Sequence, residues 1–262
     1  MLLKYQVKKI WNDPVKNFIC FLVLFFPCLE IIYNLFDLIS TENHVLRPEF
    51  MCFLVGSSTR LSHVFQSIVL WFFPLYSLLL TAEDCIEERK TGIRNIVIAK
   101  EGKKKYIKSH LYKSFIFSFL LIMLMLLINM ALVYIIFAGG KTPMYDDMML
   151  SLRTDNLLWA CKNGLLVNFI YIIITAAICG LISMVGTISA IMLVDRKIVY
   201  GITMLFWFAP TFLSKSLLYV FQPFTEYSLS FVAPTIIGVF VVYILYISGW
   251  YVKEVCFDKK SI

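Results

Sequence analysis

Charge is scarce in this 262-residue chain: Asp, Glu, Lys and Arg make up 16% of it, against roughly a quarter in an ordinary soluble domain. Histidine is scarcer still. His44, His63 and His110 are scattered and form no HExxH or other ligand spacing. That spacing gives no metal site in this chain and none of the familiar zinc enzymes. The cysteines, Cys20, Cys28, Cys52, Cys85, Cys161, Cys179 and Cys256, contain no CxxC. Most lie in apolar runs and read as small buried hydrophobes, not as a disulfide framework. A Cys52–Cys161 bridge outside the membrane is the one pairing left open. No GxSxG is present, so no nucleophile elbow is signalled, although a Ser–His pair is not ruled out by sequence.

Apolar residues, by contrast, make up 60% of the chain, and mean hydropathy is +0.80. A soluble fold of this length would have too little polar surface to cover itself, whereas lipid solvates apolar side chains directly. The expectation is an all-α integral membrane protein forming a single transmembrane domain over residues 1–262. Crossing the hydrocarbon takes about 20 mainly apolar residues. Such runs fall near 18–36, 64–82, 113–137, 165–194, 198–212 and 231–252, which predicts six transmembrane helices. The fourth run is long enough to tilt. The fifth is short, and Pro210 interrupts it, so it is expected to continue irregularly toward Phe221. The first run is too long for a signal h-region and has no small-residue cleavage site after it, so it reads as a permanent helix.

With six spans, 18 of the 24 Lys and Arg residues fall on one side and 6 on the other. Lys/Arg excess marks the cytoplasmic side, which puts both termini inside the cell membrane. The net charge of +7 is then an orientation signal. Nucleic acid is not indicated, since no basic surface alternates with an aromatic platform. Before the first span, Leu3, Val7, Ile10 and Trp11 share one helical side, while Lys4, Lys8 and Lys9 lie elsewhere. This periodicity predicts an interfacial helix over residues 1–14 with its lysines near lipid headgroups. The alternative is a basic tail that only fixes topology. Asn12-Asp13-Pro14 ends the segment, because proline disfavours helix at the preceding residue.

The stretch at 83–112, a predicted cytoplasmic loop, is the most informative. Glu83, Asp84, Glu87 and Glu88 come first, then Arg89, Thr91 and Gly92, then the apolar patch Ile93–Ile98 with Arg94, and finally a run of lysines. Acidic residues suit a helix start and glycine a helix stop, so Glu83–Thr91 is predicted to be a short helix closed by Gly92. Ile86, Ile93, Ile96, Val97 and Ile98 offer apolar surface that a solvated loop does not need, which favours partner docking over a loop lying on the membrane. Two tempting motifs fail. Gly139-Gly140-Lys141-Thr142 resembles the end of a P-loop, but Ile135 stands where the first glycine is required. Glu87-Glu88 resembles the EExxxR glutamates of intramembrane proteases, but Gly92 stands at the arginine position.

The order of parts resembles the permease subunits of ABC-2 type ATP-binding cassette transporters. It has an N-terminal interfacial helix, six spans, and a short coupling helix between spans two and three. Glu88, Gly92, Ile93–Ile98, Lys100 and Lys108 or Lys113 follow the order of that family's loop, with Thr91-Gly92 in place of its Gly-Thr turn. A looser likeness is to the permeases of peptide-antibiotic export and immunity systems. The resemblance implies no enzyme activity and no bound cofactor in this chain, with ATP and Mg held by a separate ATPase subunit. It implies pairing with a second permease copy or a sibling. It also implies coupling contacts at Glu83, Glu87, Glu88, Arg89, Thr91, Gly92, Ile93 and Arg94, with Asp195 and Arg196 as a smaller second contact. A plain topogenic turn is the equal alternative for Asp195–Lys197. The substrate implied is amphipathic or hydrophobic, moving outward. A membrane accessory or sensor that docks a partner but moves nothing is the competing reading, and an intramembrane enzyme comes third.

Polar residues within the runs are the remaining candidates. Glu30, Asn34 and Asp37 stand at i, i+4 and i+7 on the first span. Gln66, Asn129 and Asn168 raise the same question. Such residues are costly at membrane depth and face a bundle interior or water. They either line a substrate pathway or hydrogen-bond between helices. On the fourth span, Ala176, Gly180, Ser183, Thr187 and Ala190 let helices approach closely, first within the bundle and second in a dimer. The aromatics Tyr219, Phe221, Phe224 and Tyr227 predict an interfacial or re-entrant element before the last span.

Overall fold

A computed structural model describes residues 2–41, 47–55, 60–140, 155–193, 195–224 and 229–257. Among these the secondary structure is helical throughout, with no strand. Helix α1 (Leu2–Asn12) is separated by Asp13 from α2 (Pro14–Thr41), where Pro14 starts the new helix at a position that needs no N–H. Two 3-10 turns follow, Pro48–Phe50 and Phe53–Val55.

The second span differs from the single helix expected over 64–82. Helix α3 (Arg60–Trp71) stops at Phe72, and α4 (Phe73–Ser77) resumes with Pro74 in its first turn. Proline has no N–H and its ring crowds the carbonyl four residues back, so the axis bends there. The bend is 42°. A π-turn at Leu78–Ala82 leads without a break into α5 (Glu83–Lys90). The acidic residues therefore do not open a free helix. They continue the span, and Ile86 is buried instead of offered to a partner. Gly92, at φ +75°, ends this rod as the sequence suggests.

Helix α6 (Ile93–Glu101) runs between Gly92 and Gly102, both at positive φ. Helix α7 (Lys103–Ile136) starts ten residues before the predicted third span, so most of the presumed loop at 83–112 is helix. Helix α8 (Asp155–Lys162) and helix α9 (Gly164–Met192) follow. Helix α10 (Arg196–Phe208) gives way to 3-10 turns at Ala209–Phe212 and Leu217–Phe221, the irregular continuation expected after Pro210. Helix α11 (Leu229–Val252) closes with a π-turn at Lys253–Phe257.

Four of these helices are long and apolar enough to cross a membrane, or five if the bent pair counts as one span. The fifth predicted span falls short as regular helix. Its 13 residues rise about 20 Å at 1.5 Å per residue, against a hydrocarbon core of about 30 Å. Helix α9 is the centre of the bundle: 61% of its apolar window is buried, against 28–33% for the other three. Its small residues serve that position. Ala176, Thr187 and Ala190 are fully buried, and Ser183 Oγ meets Thr81 Oγ1 at 3.2 Å and Ser118 Oγ at 2.9 Å. A Cβ added to Gly180 would come within 2.8 Å of the Phe115 ring, and one added to Gly186 within 2.6 Å of Leu78. The small stripe thus packs inside the bundle. Phe21, Phe25, Ile237, Val241, Ile244 and Leu245 are exposed on the outside, the distribution expected of side chains facing lipid.

Gly186→Val forces the α9 contact with Leu78 apart, so it should destabilise the bundle by about 1–3 kcal/mol. Gly201→Ala, on α10, meets nothing within 4 Å and should be neutral or stabilising by up to about 1 kcal/mol. Thermal melting of the two detergent-purified variants against the parent chain checks both.

Candidate functional site

The charged residues gather at one end of the bundle, and α5 builds the centre of the cluster. Its residues Asp84 and Glu88 lie one turn apart on the inward face, while Tyr106, His110 and Lys113 repeat at i, i+4 and i+7 on α7. The two faces meet. Asp84, 1% exposed, accepts from Lys16 Nζ at 2.5 Å and from Lys113 Nζ at 2.7 Å, and Lys9 Nζ stands 3.2 Å away. One carboxylate thereby ties α1, α2 and α7 to the end of the second span. Burial lowers the Lys9 pKa, but Asp84, by charge and hydrogen bond, with Glu88 and Glu87, raises it above the usual lysine value. Gln6 Nε2 adds a hydrogen bond to Ser109 Oγ at 3.3 Å, fixing α1 to α7.

Beside this centre, Tyr106 OH donates to Glu88 Oε2 at 2.9 Å, and His110 Nε2 stands 3.2 Å from the same oxygen. His110 Nδ1 is 3.2 Å from Cys85 Sγ. A thiol, an imidazole and a carboxylate in line resemble a nucleophilic triad, but Cys85 is 1% and His110 0% exposed. No substrate reaches that sulfur, so the line acts as a sealed hydrogen-bonded joint. Lys9, Lys16 and Lys113 balance Asp84, Glu87 and Glu88, which lets so many charges share a largely buried space.

Two arginines carry the cluster to α9. Arg89 Nη1 donates to the Ile191 and Met192 carbonyls at 3.3 and 3.2 Å, and Arg94 Nη1 donates to the Ile191 carbonyl at 3.3 Å. Guanidinium groups here satisfy orphan carbonyls at the negative end of the helix dipole. Arg94 Nη2 also binds Glu254 at 3.0 Å, as does Lys103 Nζ, so the C-terminal turn joins the same network. Glu83 accepts from Arg196 Nη2 at 2.6 Å and from Tyr200 OH at 2.9 Å, which brings in α10. Asp195 caps α10 through the Lys197 N–H at 2.9 Å.

The residues expected to contact a partner therefore divide. Glu83, Glu88, Arg89, Arg94 and Arg196 are bound within the chain. Glu87, Thr91, Ile93 and Asp195 are exposed, and Gly92 is the joint between α5 and α6. Helix α6 has no buried residue, with Ile93 42% and Ile96 57% exposed. Lys16, Asp84, Cys85, Tyr106, His110 and Glu254 were not among the expected site residues. The signal for them was spacing: the Asp84/Glu88 pair and the Tyr106/His110/Lys113 ladder each lie on one helical face.

At the opposite end the polar candidates are engaged with backbone. Gln66 Nε2 donates to the Leu54 and Phe221 carbonyls at 2.8 and 2.7 Å. Asn129 Nδ2 donates to Pro27 at 3.2 Å and its Oδ1 accepts from the Phe53 N–H at 3.0 Å. Asn168 Nδ2 donates to the Glu49 carbonyl at 2.9 Å. These amides hold the irregular turns against α2, α7 and α9. Glu30 and Asn34 are buried beside them, each 1% exposed. The Asp37 side chain, Lys141, Thr142, Glu226 and Tyr227 lie outside the described residues. Cys52 and Cys161 are both free thiols, so the candidate bridge is not formed. Burial pushes Cys52 up to about 12 and Cys161 up to about 11, far from thiolate chemistry at neutral pH. Among the described residues no cluster of His, Cys, Asp and Glu could hold a metal ion.

Fold and site together define a class: an all-helical bundle with several helices long and apolar enough to span a membrane, clasped at one end by a charged collar. The chain is 31% identical over 257 residues to a Bacillus subtilis (strain 168) protein described as "Uncharacterized protein YybM", an alignment that covers 97% of this chain and 99% of that one. It therefore belongs to the YybM family. No family model matches the sequence, and no solved structure matches it.

Replacing Asp84 by Asn leaves Lys16 and Lys113 buried without their counter-charge, a change expected to cost about 3–5 kcal/mol. Adding Lys113→Gln to Asp84→Asn should recover a measurable part, with a coupling of about 0.5–3 kcal/mol. Glu87→Gln should change stability by less than about 0.5 kcal/mol, as at other exposed positions. Melting temperatures and monodisperse yield of the variants in one detergent decide the matter.

Proposed function

We propose that the chain is the permease subunit of an ATP-binding cassette exporter in the cell membrane, driven by a separate ATPase and moving an amphipathic or hydrophobic substrate outward. The observation that carries the proposal is helix α6. It is short, bounded by Gly92 and Gly102, has no buried residue, and presents Ile93 and Ile96 outward, while Val97 and Ile98 rest against the core and Arg94 ties it to the end of α9 and to Glu254. A helix with two exposed isoleucines between two glycine joints suits a partner groove. The collar behind it suits force transfer, since α5 meets α1, α2, α7, α9 and α10 through ion pairs and hydrogen bonds.

Closure of two ATPase subunits on ATP would press on α6. Gly92 would pass that movement to α5, which continues into the bent second span. The break at Phe72–Phe73, where α3 and α4 are bent relative to each other, provides a place for that span to change shape. Coupling of this kind needs only differential contacts in two states, not a continuous wire.

The six-span, both-termini-inside topology is part of the same reading. Lys9 and Lys16 at the start of the chain and Glu254 near its end meet one collar, which calls for an even number of crossings. Four long spans and the bent pair make five. Helix α10 starts at the collar through Arg196, and the chain beyond it reaches Gln66 at the other end through the Phe221 carbonyl. In this reading helix α10 with its 3-10 extension supplies the sixth crossing. The lysine excess then makes the collar cytoplasmic. The second permease copy and the ATP and Mg of the partner subunit belong to this proposal as well.

Purification of the tagged chain from its native membrane in mild detergent should recover an ATP-binding cassette subunit with vanadate-sensitive ATPase activity. Ile96→Glu should reduce that recovery by roughly tenfold or more, the scale of a buried anchor lost from an interface, while membrane yield of the chain stays unchanged. A clean preparation of wild type without ATPase would overturn the proposal and favour an accessory or sensor protein.

A further inference from the structure

Helices α10 and α11 separate at the end of the bundle remote from the collar. Pro210 converts the end of α10 into a 3-10 turn, and Pro234 stands inside α11 within its first two turns. Between them lies a half-open cavity of about 510 Å³, within the roughly 300–1,000 Å³ of small-molecule sites. Two long-range hydrogen bonds hold its walls. Thr235 Oγ1 donates to the Lys215 carbonyl at 2.6 Å, and Tyr243 OH donates to the Phe206 carbonyl at 2.8 Å. Those two hydroxyls are thereby satisfied, and apart from Ser214 and Lys215 the rest of the lining is apolar. Water, which needs several polar partners in a cavity, is poorly served there.

Two further features describe what would fit. Gly238 lines the cavity from α11, and a Cβ built on it meets nothing within 4 Å, so the space reaches the backbone. Lys215 lines it too, with Nζ 4.8 Å from the centre of the Phe231 ring. A lysine at a membrane edge lays its stem along apolar surface and keeps its ammonium at headgroup level. An apolar slot with one cation beside it matches an acyl chain that ends in a negative headgroup.

We propose that this cavity is a binding site for an anionic phospholipid, one acyl chain lying between α10 and α11 along Gly238 and the phosphate held by Lys215. The site is separate from the collar and needs no ATPase partner. It makes the irregular α10 crossing responsive to lipid charge.

The test is native mass spectrometry of the purified chain, titrated with phosphatidylglycerol or with phosphatidylcholine of the same acyl chains. Wild type should retain phosphatidylglycerol several-fold better. Lys215→Gln should bring the two lipids to equal retention. Gly238→Leu should abolish retention of both by filling the slot. Val242→Trp, which fills it from the outward-facing rim, should do the same and decides the matter if Gly238→Leu does not fold. Equal retention of the two lipids by wild type, an unchanged preference in Lys215→Gln, or full retention in the filled variants would overturn the assignment.

Discussion

A single buried carboxylate organises the charged end of this protein. Asp84 sits at the collar end of the second span with Lys16 and Lys113 at hydrogen-bonding distance and Lys9 close by. Burying one carboxylate costs several kcal/mol unless its geometry and partners are good. Here the partners come from three different helices, so the requirement to neutralise Asp84 is also what gathers α1, α2 and α7. The remaining contacts extend outward from it: Glu88 with Tyr106 and His110, Glu83 with α10, and Arg89 and Arg94 with the end of α9. The Gln6–Ser109 hydrogen bond and the buried Ile10 add to what places α1 against the bundle.

The opposite end is held by different means. Gln66 and Asn168 bind backbone carbonyls of short irregular turns, Asn129 links the Phe53 N–H of one such turn to the Pro27 carbonyl of α2, and proline breaks replace long helix. Charge-assisted contacts are stronger than neutral ones, roughly by a factor of two. The proposed coupling therefore treats the collar end as the stiffer part and the irregular end as the more compliant one. A protein that takes a push at one end and changes shape at the other needs that asymmetry. The proposed lipid slot between α10 and α11 lies toward that irregular end, where an added acyl chain would affect the shape of α10 most.

Much of the fold was legible in hydrophobic run length. The first, third, fourth and sixth runs are continuous helices because each is a long, mainly apolar run. Pro27 falls inside α2 without ending it, and Pro234 inside α11, so proline alone did not mark the breaks. Pro74 does mark one, but the bend of the second span depends on how Phe73 and Pro74 pack, which run length does not carry. The stretch at 83–112 read as a cytoplasmic loop carrying one short helix and an apolar patch, because its charges were counted without facing. Helical spacing sorts the same residues into an inward set, Asp84, Glu88, Tyr106, His110 and Lys113, and an outward set, Glu87, Thr91, Ile93 and Ile96. Partners such as Lys16 and Glu254 lie far away in the chain, and no local pattern pairs them.

The account turns on α6 being a surface that another subunit grips. Its most direct test is a photo-crosslinking side chain placed at Ile96 and activated in the native membrane. The account predicts a crosslink to an ATP-binding subunit that weakens when nucleotide is depleted. Crosslinks to lipid alone, with none to any ATP-binding protein, would contradict it.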